Sequence, residues 1–163
     1  MALVDYFLKI DGIPGESADS KHKNEIDIES WSFGAQQSGT FSYGGGGGAG
    51  KVQMQDFHFV MKVNKATPKL LQHCADGKHI TSAELACRKA GGTQSEFLKI
   101  KFSDIIVSSY QTGGSGGADV IPMDQISLNF SKIEFEYFIQ DAKGAMSSGG
   151  KTGWDLKKNE KVG

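Results

Sequence analysis

A glycine-rich segment that ends in lysine is the first feature that could bind a ligand. The chain has five consecutive glycines from Gly44, and the run ends at Gly50 and Lys51 with the spacing of a phosphate-binding loop. Val52 stands where that motif needs a magnesium-binding hydroxyl, and the sequence after it alternates like a strand instead of opening a helix. The sequence therefore favours a flexible connection between two strands over a nucleotide site.

A serine and a pair of carboxylates are the other residues that suggest catalysis. Ser115 lies in the stretch Gly113–Gly117, whose order Gly-Gly-Ser-Gly-Gly fits the letters of a nucleophile elbow. That elbow needs a helix directly after the serine, and no helix is predicted there, so a linker is favoured. Glu134 and Glu136 lie on one face of a predicted strand, where paired carboxylates can perform acid–base chemistry. Beside Lys132 they are more typical of a charged wall or a charged sheet edge.

Histidine and cysteine spacing does not indicate a metal site. The residues concerned are His22, His58, His73, His79, Cys74 and Cys87. His73 and Cys74 are adjacent and His79 follows, but no third ligand stands at a spacing that zinc sites use. We expect solvated or core-edge histidines, two buried thiols in a protein that folds in a reducing compartment, and no cofactor.

Period-two alternation of apolar residues predicts a mainly β protein with six or seven strands. The predicted strands cover residues 3–10, 25–36, 51–63, 79–89, 94–111 and 125–138, with a further short strand near Trp154. In segment 79–89 the inward residues should be Ala83, Leu85 and Cys87. In segment 94–111 one face should carry Leu98, Ile100, Phe102 and Ile106, and the other Phe97, Ile105 and Val107.

Three of the predicted strands change phase part-way along. In segment 125–138 the apolar residues are Ile126, Leu128 and Phe130 and then Ile133, Phe135 and Tyr137. A β-bulge turns all later side chains to the opposite face, so bulged strands that bend around a barrel are one interpretation. Burial of both faces, one in the core and one against a neighbouring subunit, is the other.

One helix is predicted, packed on the outside of a barrel or sandwich. Thr67 suits the N-cap and Pro68 the first helical position. Leu70, Leu71 and Cys74 form an apolar stripe at helical spacing, and Gly77 suits the left-handed residue at the end.

Length and composition exclude several classes of protein. The chain has 163 residues, a formal net charge of -1 and 22 glycines, so we expect a single domain over 1–163 with glycine-rich loops and no nucleic-acid partner. The apolar stretches are too short to span a membrane. The first residues show no signal peptide, so we expect a cytoplasmic protein that, if exported, leaves by another route.

Several stretches, taken in order, resemble one protein family. They are Phe7–Ser17, His22, Glu25–Ile28, Trp31–Gly34, the glycine run to Lys51, Thr67-Pro68, Val107–Gln111 and Glu134–Tyr137. Each is weak alone, but their order and spacing together are specific. From end to end the chain is similar to the haemolysin-coregulated protein (Hcp) family of the bacterial type VI secretion system.

This resemblance implies a two-sheet β-barrel with bulged long strands and one flanking α-helix. It implies hexameric rings that stack into the inner tube of a contractile machine, with small effector proteins in the lumen. The other expected partners are a VgrG-type spike protein and a contractile sheath. The tube is ejected, which would place the protein outside the cell without a signal peptide. No enzymatic activity is expected.

Two sets of residues are predicted to serve assembly. The loop from Gly39 to Lys51 should reach toward the next ring, and its residues are Gly39, Tyr43, Gly44, Gly46, Gly48 and Lys51. Ser32 stands between Trp31 and Phe33, so it should face away from both and line the lumen, with an outer-surface position as the alternative.

Two other functions remain open from the residues alone. A phage-type tail tube protein would share the fold and the ring but not the secretion role. A monomeric β-barrel module that binds a sugar or a peptide would share only the fold.

Overall fold

Strands make up most of the chain, as the alternation predicts. The computed structural model describes residues 4–37, 51–90, 95–117 and 121–163. The strands there are β1 (Val4–Ile10), β2 (Ile26–Ile28), β3 (Ser30–Ser32), β4 (Ala35–Gln37), β5 (Val52–Met54), β6 (Phe57–Lys62), β7 (Ile80–Lys89), β8 (Glu96–Gly113), β9 (Met123–Gln140), β10 (Met146–Asp155) and β11 (Glu160–Lys161). The helix α1 (Thr67–Asp76) lies between β6 and β7.

Most of these strands join into one sheet that closes on itself as a barrel. β1 pairs with β2 and β7, and antiparallel pairing continues from β7 through β8 to β9. The first part of β9 pairs with β6, and β6 pairs with β3. Glu29 alone separates β2 from β3, and its amide donates to the Val60 carbonyl at 2.8 Å, which completes the circle. β4 and β5 form a second, two-stranded sheet.

Large aromatic side chains fill the barrel. Phe57, Phe59 and Phe102 are fully buried. The ring of Phe102 lies 4.7 Å from that of Phe57 and 4.8 Å from that of Phe130. Burial of one such side chain stabilises the fold by about 2–3 kcal/mol, so this cluster is a main support of the barrel. The inward positions predicted for β7 are confirmed, because Ala83, Leu85 and Cys87 are all buried.

The two longest strands, β8 and β9, change phase at a shared corner. Phe102 and Ile105 are both fully buried although only two residues lie between them, a spacing that would place them on opposite faces of a regular strand. Asp104, between them, has a φ of 53°, a left-handed conformation that turns the strand. Opposite it, Phe130 and Ile133 are both buried, and the register runs unbroken from the pair Phe102–Ile133 to the pair Ile105–Phe130. The change of phase therefore comes from a corner that both strands share, and not from a residue inserted into one of them.

The face predictions for segment 94–111 are therefore wrong beyond the corner. Ile106, predicted to share the face of Phe102, is 41% exposed, whereas Ile105 and Val107 join the core. Register shifts typical of bulges occur elsewhere: between Cys87 and Arg88, between Val107 and Ser109, and between Ser148 and Gly150.

The helix begins at Thr67, but Thr67 is not its N-cap. Ala66 holds the cap position and offers no side-chain hydrogen bond. The Thr67 hydroxyl instead donates to a carboxylate oxygen of Asp124 at 2.7 Å and accepts from the Asn64 amide at 3.0 Å. Thr67 therefore ties the start of the helix to β9, a contact between residues far apart in sequence.

The predicted apolar stripe of the helix is narrower than expected. Leu70 is fully buried, whereas Leu71 is 51% exposed and Cys74 is partly buried. Gly77 ends the helix with a φ of 67°, as predicted. Across the ranges that the structure describes, no helix has the length and apolar character needed to cross a membrane.

Candidate assembly interface

Ser32 lies on the outer face of the barrel wall, as its position between two aromatic residues predicts. Trp31 packs toward the core, with ring centroids 6.2 Å from Tyr6 and 6.3 Å from Phe57. Ser32, the next residue of β3, is exposed. Its orientation away from Trp31 is therefore confirmed, while its position in a lumen stays a prediction.

A row of polar side chains crosses this wall at the level of Ser32. Ser32 is paired with His58 in β6, and His58 is paired with Ser127 in β9. Directly paired residues project from the same face of a sheet, so the three side chains form one row. His58 Nδ1 and Ser127 Oγ share a hydrogen bond at 3.2 Å. Sequence reasoning missed the row because 69 positions separate His58 from Ser127.

The serine–histidine pair does not extend to a catalytic triad. The nearby carboxylate, Asp56, accepts hydrogen bonds from the Ser108 hydroxyl at 2.6 Å and from the Asn129 amide at 2.8 Å. A triad needs the carboxylate to orient the histidine. Asp56 instead fastens the segment between β5 and β6 to β8 and β9, so a structural role accounts for these contacts.

The two glutamates of β9 belong to a charged wall, as predicted. Cross-strand pairing forms two rows of alternating sign: Glu84–Lys101–Glu134 and Lys99–Glu136–Lys151. Each carboxylate stands beside a lysine on the next strand, an arrangement that stabilises the sheet by a few tenths of a kcal/mol per pair.

An open apolar groove lies between the small β4–β5 sheet and the β9–β10 region. Its volume is about 530 Å³, and the large apolar side chains that line it are Phe33, Val52, Met54, Ile133, Phe135 and Trp154. The indole Nε1 of Trp154 is buried, and no atom of the described residues accepts a hydrogen bond from it. A buried N–H without an acceptor is costly, so this groove has the character of a surface that another segment covers.

The predicted ring-stacking residues fall mainly outside the described parts of the chain. Gly39, Tyr43, Gly44, Gly46 and Gly48 lie within 38–50, which the structure does not describe. Lys51 is exposed and directly precedes β5, so a strand follows the glycine-rich segment as predicted. Gln37 and Val52, which flank the segment, both line the apolar groove.

Exposed apolar side chains lie at one end of the long β9–β10 hairpin. Tyr137 and Ile139 are 49% and 48% exposed. Gly149 of β10 lies beneath them, since a Cβ built there would be 2.6 Å from Ile139 and 2.9 Å from Tyr137. This part of the hairpin therefore has an exposed apolar face. Such a face is consistent with the interpretation in which a neighbouring subunit buries the second face of a strand.

A buried arginine near β1 was not found from the sequence. Arg88 is 2% exposed and donates to both carboxylate oxygens of Asp19, at 3.0 and 2.7 Å, and to Asp5 at 3.2 Å. The hydrogen bonds from Arg88 hold the pKa of Asp19 well below its usual range. Arg88 directly follows the apolar part of β7, and its partner Asp19 lies 69 positions away in the sequence. No local pattern therefore indicates that Arg88 is buried.

The cysteines and histidines of the described residues do not come together as a set of metal ligands. No cluster of three or more ligand residues occurs among them. Burial raises the pKa of the Cys87 thiol to about 12, against a smaller opposing contribution from Trp31, so this thiol is unreactive at neutral pH. Cys74 is partly buried and also free.

Comparison with known proteins identifies the family. The model of the family described as "Type VI secretion system effector, Hcp" matches residues 7–137, most of the chain. The chain belongs to the Hcp family. Protein hcp1 of Pseudomonas aeruginosa strain PAO1 is 46% identical over 158 residues, which are 96% of this chain and 97% of that protein. The resemblance predicted from the ordered motifs is thus confirmed.

Solved Hcp structures share the fold. Hcp1 from Salmonella typhimurium is 35% identical with a TM-score of 0.79, over 99% of this chain and 100% of that one. A structure described as a type six secretion system protein is 32% identical with a TM-score of 0.89, over 97% and 99% of the two chains. As an Hcp protein, the chain is a tube protein of the type VI secretion system, a family of secreted proteins.

Proposed function

We propose that this chain, as one domain over 1–163, forms hexameric rings that stack into the inner tube of the type VI machine. The observation that carries the proposal is a barrel whose surface is left uncovered in two places, at the apolar groove and at Tyr137 and Ile139. In a cyclic ring one patch of each subunit meets a different patch of the next. Two distinct uncovered patches on one chain fit that kind of interface.

The exposed edge of β10 supports the same proposal. In the described residues β10 pairs with β9 along one side, and with β11 only at Trp154 and Asp155 on the other. The edge from Met146 to Lys151 is a template for strand pairing. Continuation of the sheet into a neighbouring subunit would satisfy these backbone groups and cover Tyr137 and Ile139 at the same time.

The polar row that contains Ser32 is the wall proposed to line the lumen. Ser32, His58 and Ser127 present two hydroxyl groups and an imidazole. Such a row can form hydrogen bonds with a cargo protein. Its three side chains carry no carboxylate or ammonium group that would repel cargo of one charge. Small effector proteins are the proposed cargo.

The segment from Gly39 to Lys51 is proposed to serve ring stacking. Its flanking residues Gln37 and Val52 stand at the rim of the apolar groove. A glycine-rich chain can lie against another surface with little steric conflict. A contractile sheath outside the tube and a VgrG-type spike at its tip are the proposed further partners, with export by the machine itself and no catalytic activity.

A monomeric binding module is the second candidate, and the apolar groove favours it. A volume of about 530 Å³ lies within the range of small-molecule sites, and the mainly apolar lining includes the polar side chains of Gln37, Thr152 and Asn159. This candidate predicts a monomer that binds ligand saturably. A phage-type tail tube is consistent with the same surfaces and differs in its neighbouring genes.

Particle shape and mass in solution test the proposal. Negative-stain microscopy of the purified protein should show six-fold rings, and light scattering should give six times the chain mass of 17.5 kDa. A monomer at micromolar concentration would contradict the ring and favour the binding module. Rings that do not stack would support the hexamer but would contradict the proposed stacking into a tube.

A further inference from the structure

The segment 12–25 lies in the connection between β1 and β2. Its residue His22 covers the outer face of β1. Phe7 of β1 is 3% exposed although it lies outside the core cluster of the barrel. The imidazole of His22 stacks on the Phe7 ring with centroids 4.3 Å apart and an interplanar angle of 7°. The Arg88 guanidinium lies 4.8 Å from the same ring. Phe7 is therefore buried by the side chain of a loop residue, and its burial depends on where that loop is held.

Both ring nitrogens of His22 face carboxylates. Nδ1 lies 3.0 Å from each oxygen of Glu25, and Nε2 lies 2.6 Å from Oε1 of Glu96. Glu25 belongs to the segment itself, whereas Glu96 is the first residue of β8. The histidine thus joins the covering segment to the wall of the barrel. Its side chain is only 9% exposed, so water screens these contacts weakly.

The hydrogen-bond chemistry of this group requires an extra proton. A neutral imidazole carries one N–H and one lone pair, while an ionised carboxylate only accepts. With His22 neutral and both glutamates ionised, one nitrogen lone pair would point at a carboxylate oxygen. Either the imidazole carries two N–H groups or one carboxyl is protonated. In both cases the three side chains hold one proton more than they do when separated and exposed to water at about pH 8.

The surroundings place this proton on the imidazole. Burial opposes ionisation of Glu96, but Lys99, with Nζ at 3.2 Å, and His22 outweigh it, so the pKa of Glu96 lies below its usual range. Glu96 is therefore an acceptor, and Nε2 must donate to it. Carboxylates also outnumber cations near the histidine. The charged groups that face this region are Asp5 from β1, Asp27 from β2, Asp19 and Glu25 from the segment, Arg88 from β7, and Glu96 and Lys99 from β8.

Asp27 reports the same negative field. It is paired with Phe7 across β1 and β2. Burial, and then the charges of Asp5 and Asp19, raise its pKa above the usual range. A field that disfavours another negative charge favours a positive one at His22.

We propose that His22 is a proton-dependent latch, held as an imidazolium between Glu25 and Glu96 at neutral pH, which fastens the segment 12–25 to β8 and releases it in alkaline solution. Because the folded state holds the extra proton, the stabilisation is fully present between about pH 5 and the usual histidine range of about 6.5, where the imidazole is protonated with or without the fold. It is lost as the pH rises and the imidazolium gives up its proton. The glutamates must stay ionised, so the latch also weakens in strong acid.

Nitrogen-15 NMR of the assembled protein tests the proton directly. At about pH 8 exposed histidines are neutral, and the two ring-nitrogen signals of each then separate widely. His22 should instead show the two similar shifts of an imidazolium. A neutral tautomer of His22 at this pH would overturn the proposal.

Amide hydrogen exchange of the segment 12–25 tests the latch, first in the unmodified protein. The amide of Asn24 donates to the Ser17 carbonyl at 2.9 Å, so its exchange reports whether the segment is closed. After correction for the intrinsic rate, exchange should become about tenfold faster or more between about pH 7 and about pH 9, because the differential binding of one proton changes the opening equilibrium by up to tenfold per pH unit. An unchanged corrected rate would contradict the latch.

Two variants distinguish a proton from simple packing. In Glu96→Gln the new amide can donate to Nε2 of a neutral imidazole, so the segment should stay closed and the excess exchange at high pH should vanish. His79→Gln removes an exposed histidine 3.4 Å from Asp104 and should leave the pH dependence unchanged. If Glu96→Gln kept the pH dependence of the unmodified chain, the proton would lie elsewhere and the proposal would fail.

Discussion

At the scale of single residues, Arg88 is a charge that can be buried only because its partners stay ionised. Its guanidinium pairs with both oxygens of Asp19 and with Asp5, at the side of Phe7 that the segment 12–25 covers. Taking one partner away from such a group leaves an uncompensated charge. The Arg88–Asp19 pair and the His22 latch therefore hold the same segment through two ionic contacts, one to β7 and one to β8.

Arg88→Met should destabilise the protein in a way that depends on pH. The lowered pKa of Asp19 means that its pairing stabilises the fold above the usual aspartate range of about 4, and that this contribution is lost as the pH falls. Urea unfolding should find the variant clearly less stable at about pH 7, with the difference from the unmodified chain shrinking toward about pH 3. Lys62→Met is the control, since the Lys62–Glu29 pair is 3.8 Å long and exposed. An equal loss at both pH values would show that Arg88 acts through packing alone.

At the scale of elements, β10 depends on glycine where other strands depend on apolar residues. A Cβ at Gly153 would lie 2.8 Å from the Ile133 carbonyl oxygen and 3.0 Å from that of Val162. Backbone atoms on both sides cannot move away cheaply. The glycine therefore allows β9, β10 and the chain after β11 to approach each other closely.

Gly153→Ala should cost about 1–3 kcal/mol of unfolding free energy because a methyl group must displace backbone. Gly113→Ala is a matched control, since a Cβ there meets nothing within 4 Å and should change stability by less than about 0.5 kcal/mol. Chemical denaturation of the two variants makes the comparison. Equal stabilities would contradict the close approach.

Strands β10 and β8 show which features of the fold could not be predicted from the sequence. Alternation of apolar residues found β1, β7 and the core of β9, because burial of one face imposes period two. It missed most of β10, where glycines are required by contact and leave no apolar period, and predicted only the end near Trp154. It inverted the faces of β8 beyond Asp104, since a left-handed aspartate leaves no pattern in the neighbouring residues.

The candidate site was predictable to the extent that it is local. The outward orientation of Ser32 follows from its neighbours in β3, and the charged wall follows from Glu134 and Glu136. The row from Ser32 through His58 to Ser127 and the His22–Glu96 contact both join distant strands. Their existence depends on the order of strands around the barrel, which no local pattern contains.

At the scale of the whole molecule, the apolar end of the β9–β10 hairpin should decide whether subunits associate. Ile139→Lys places a charge in a patch that the proposed ring would bury, and an unpaired buried charge costs several kcal/mol. Light scattering should find the variant shifted from hexamer to smaller species. Leu71→Lys, at a comparably exposed leucine of the helix, should remain hexameric if the hairpin is the contact. A hexamer with Ile139→Lys would remove the hairpin from the ring interface.

Ring closure and ring stacking are separable, because they are proposed to use different parts of the chain. Deletion of Gly44–Gly48 shortens the segment between β4 and β5 without touching the barrel strands or the β9–β10 hairpin. Microscopy should therefore show intact six-fold rings and fewer or shorter stacks. Deletion of Gly116 and Gly117 shortens another glycine-rich connection, between β8 and β9, and serves as the control. Stacks of unchanged length after the first deletion would assign stacking to another surface, and loss of the rings themselves would place the segment in the ring interface.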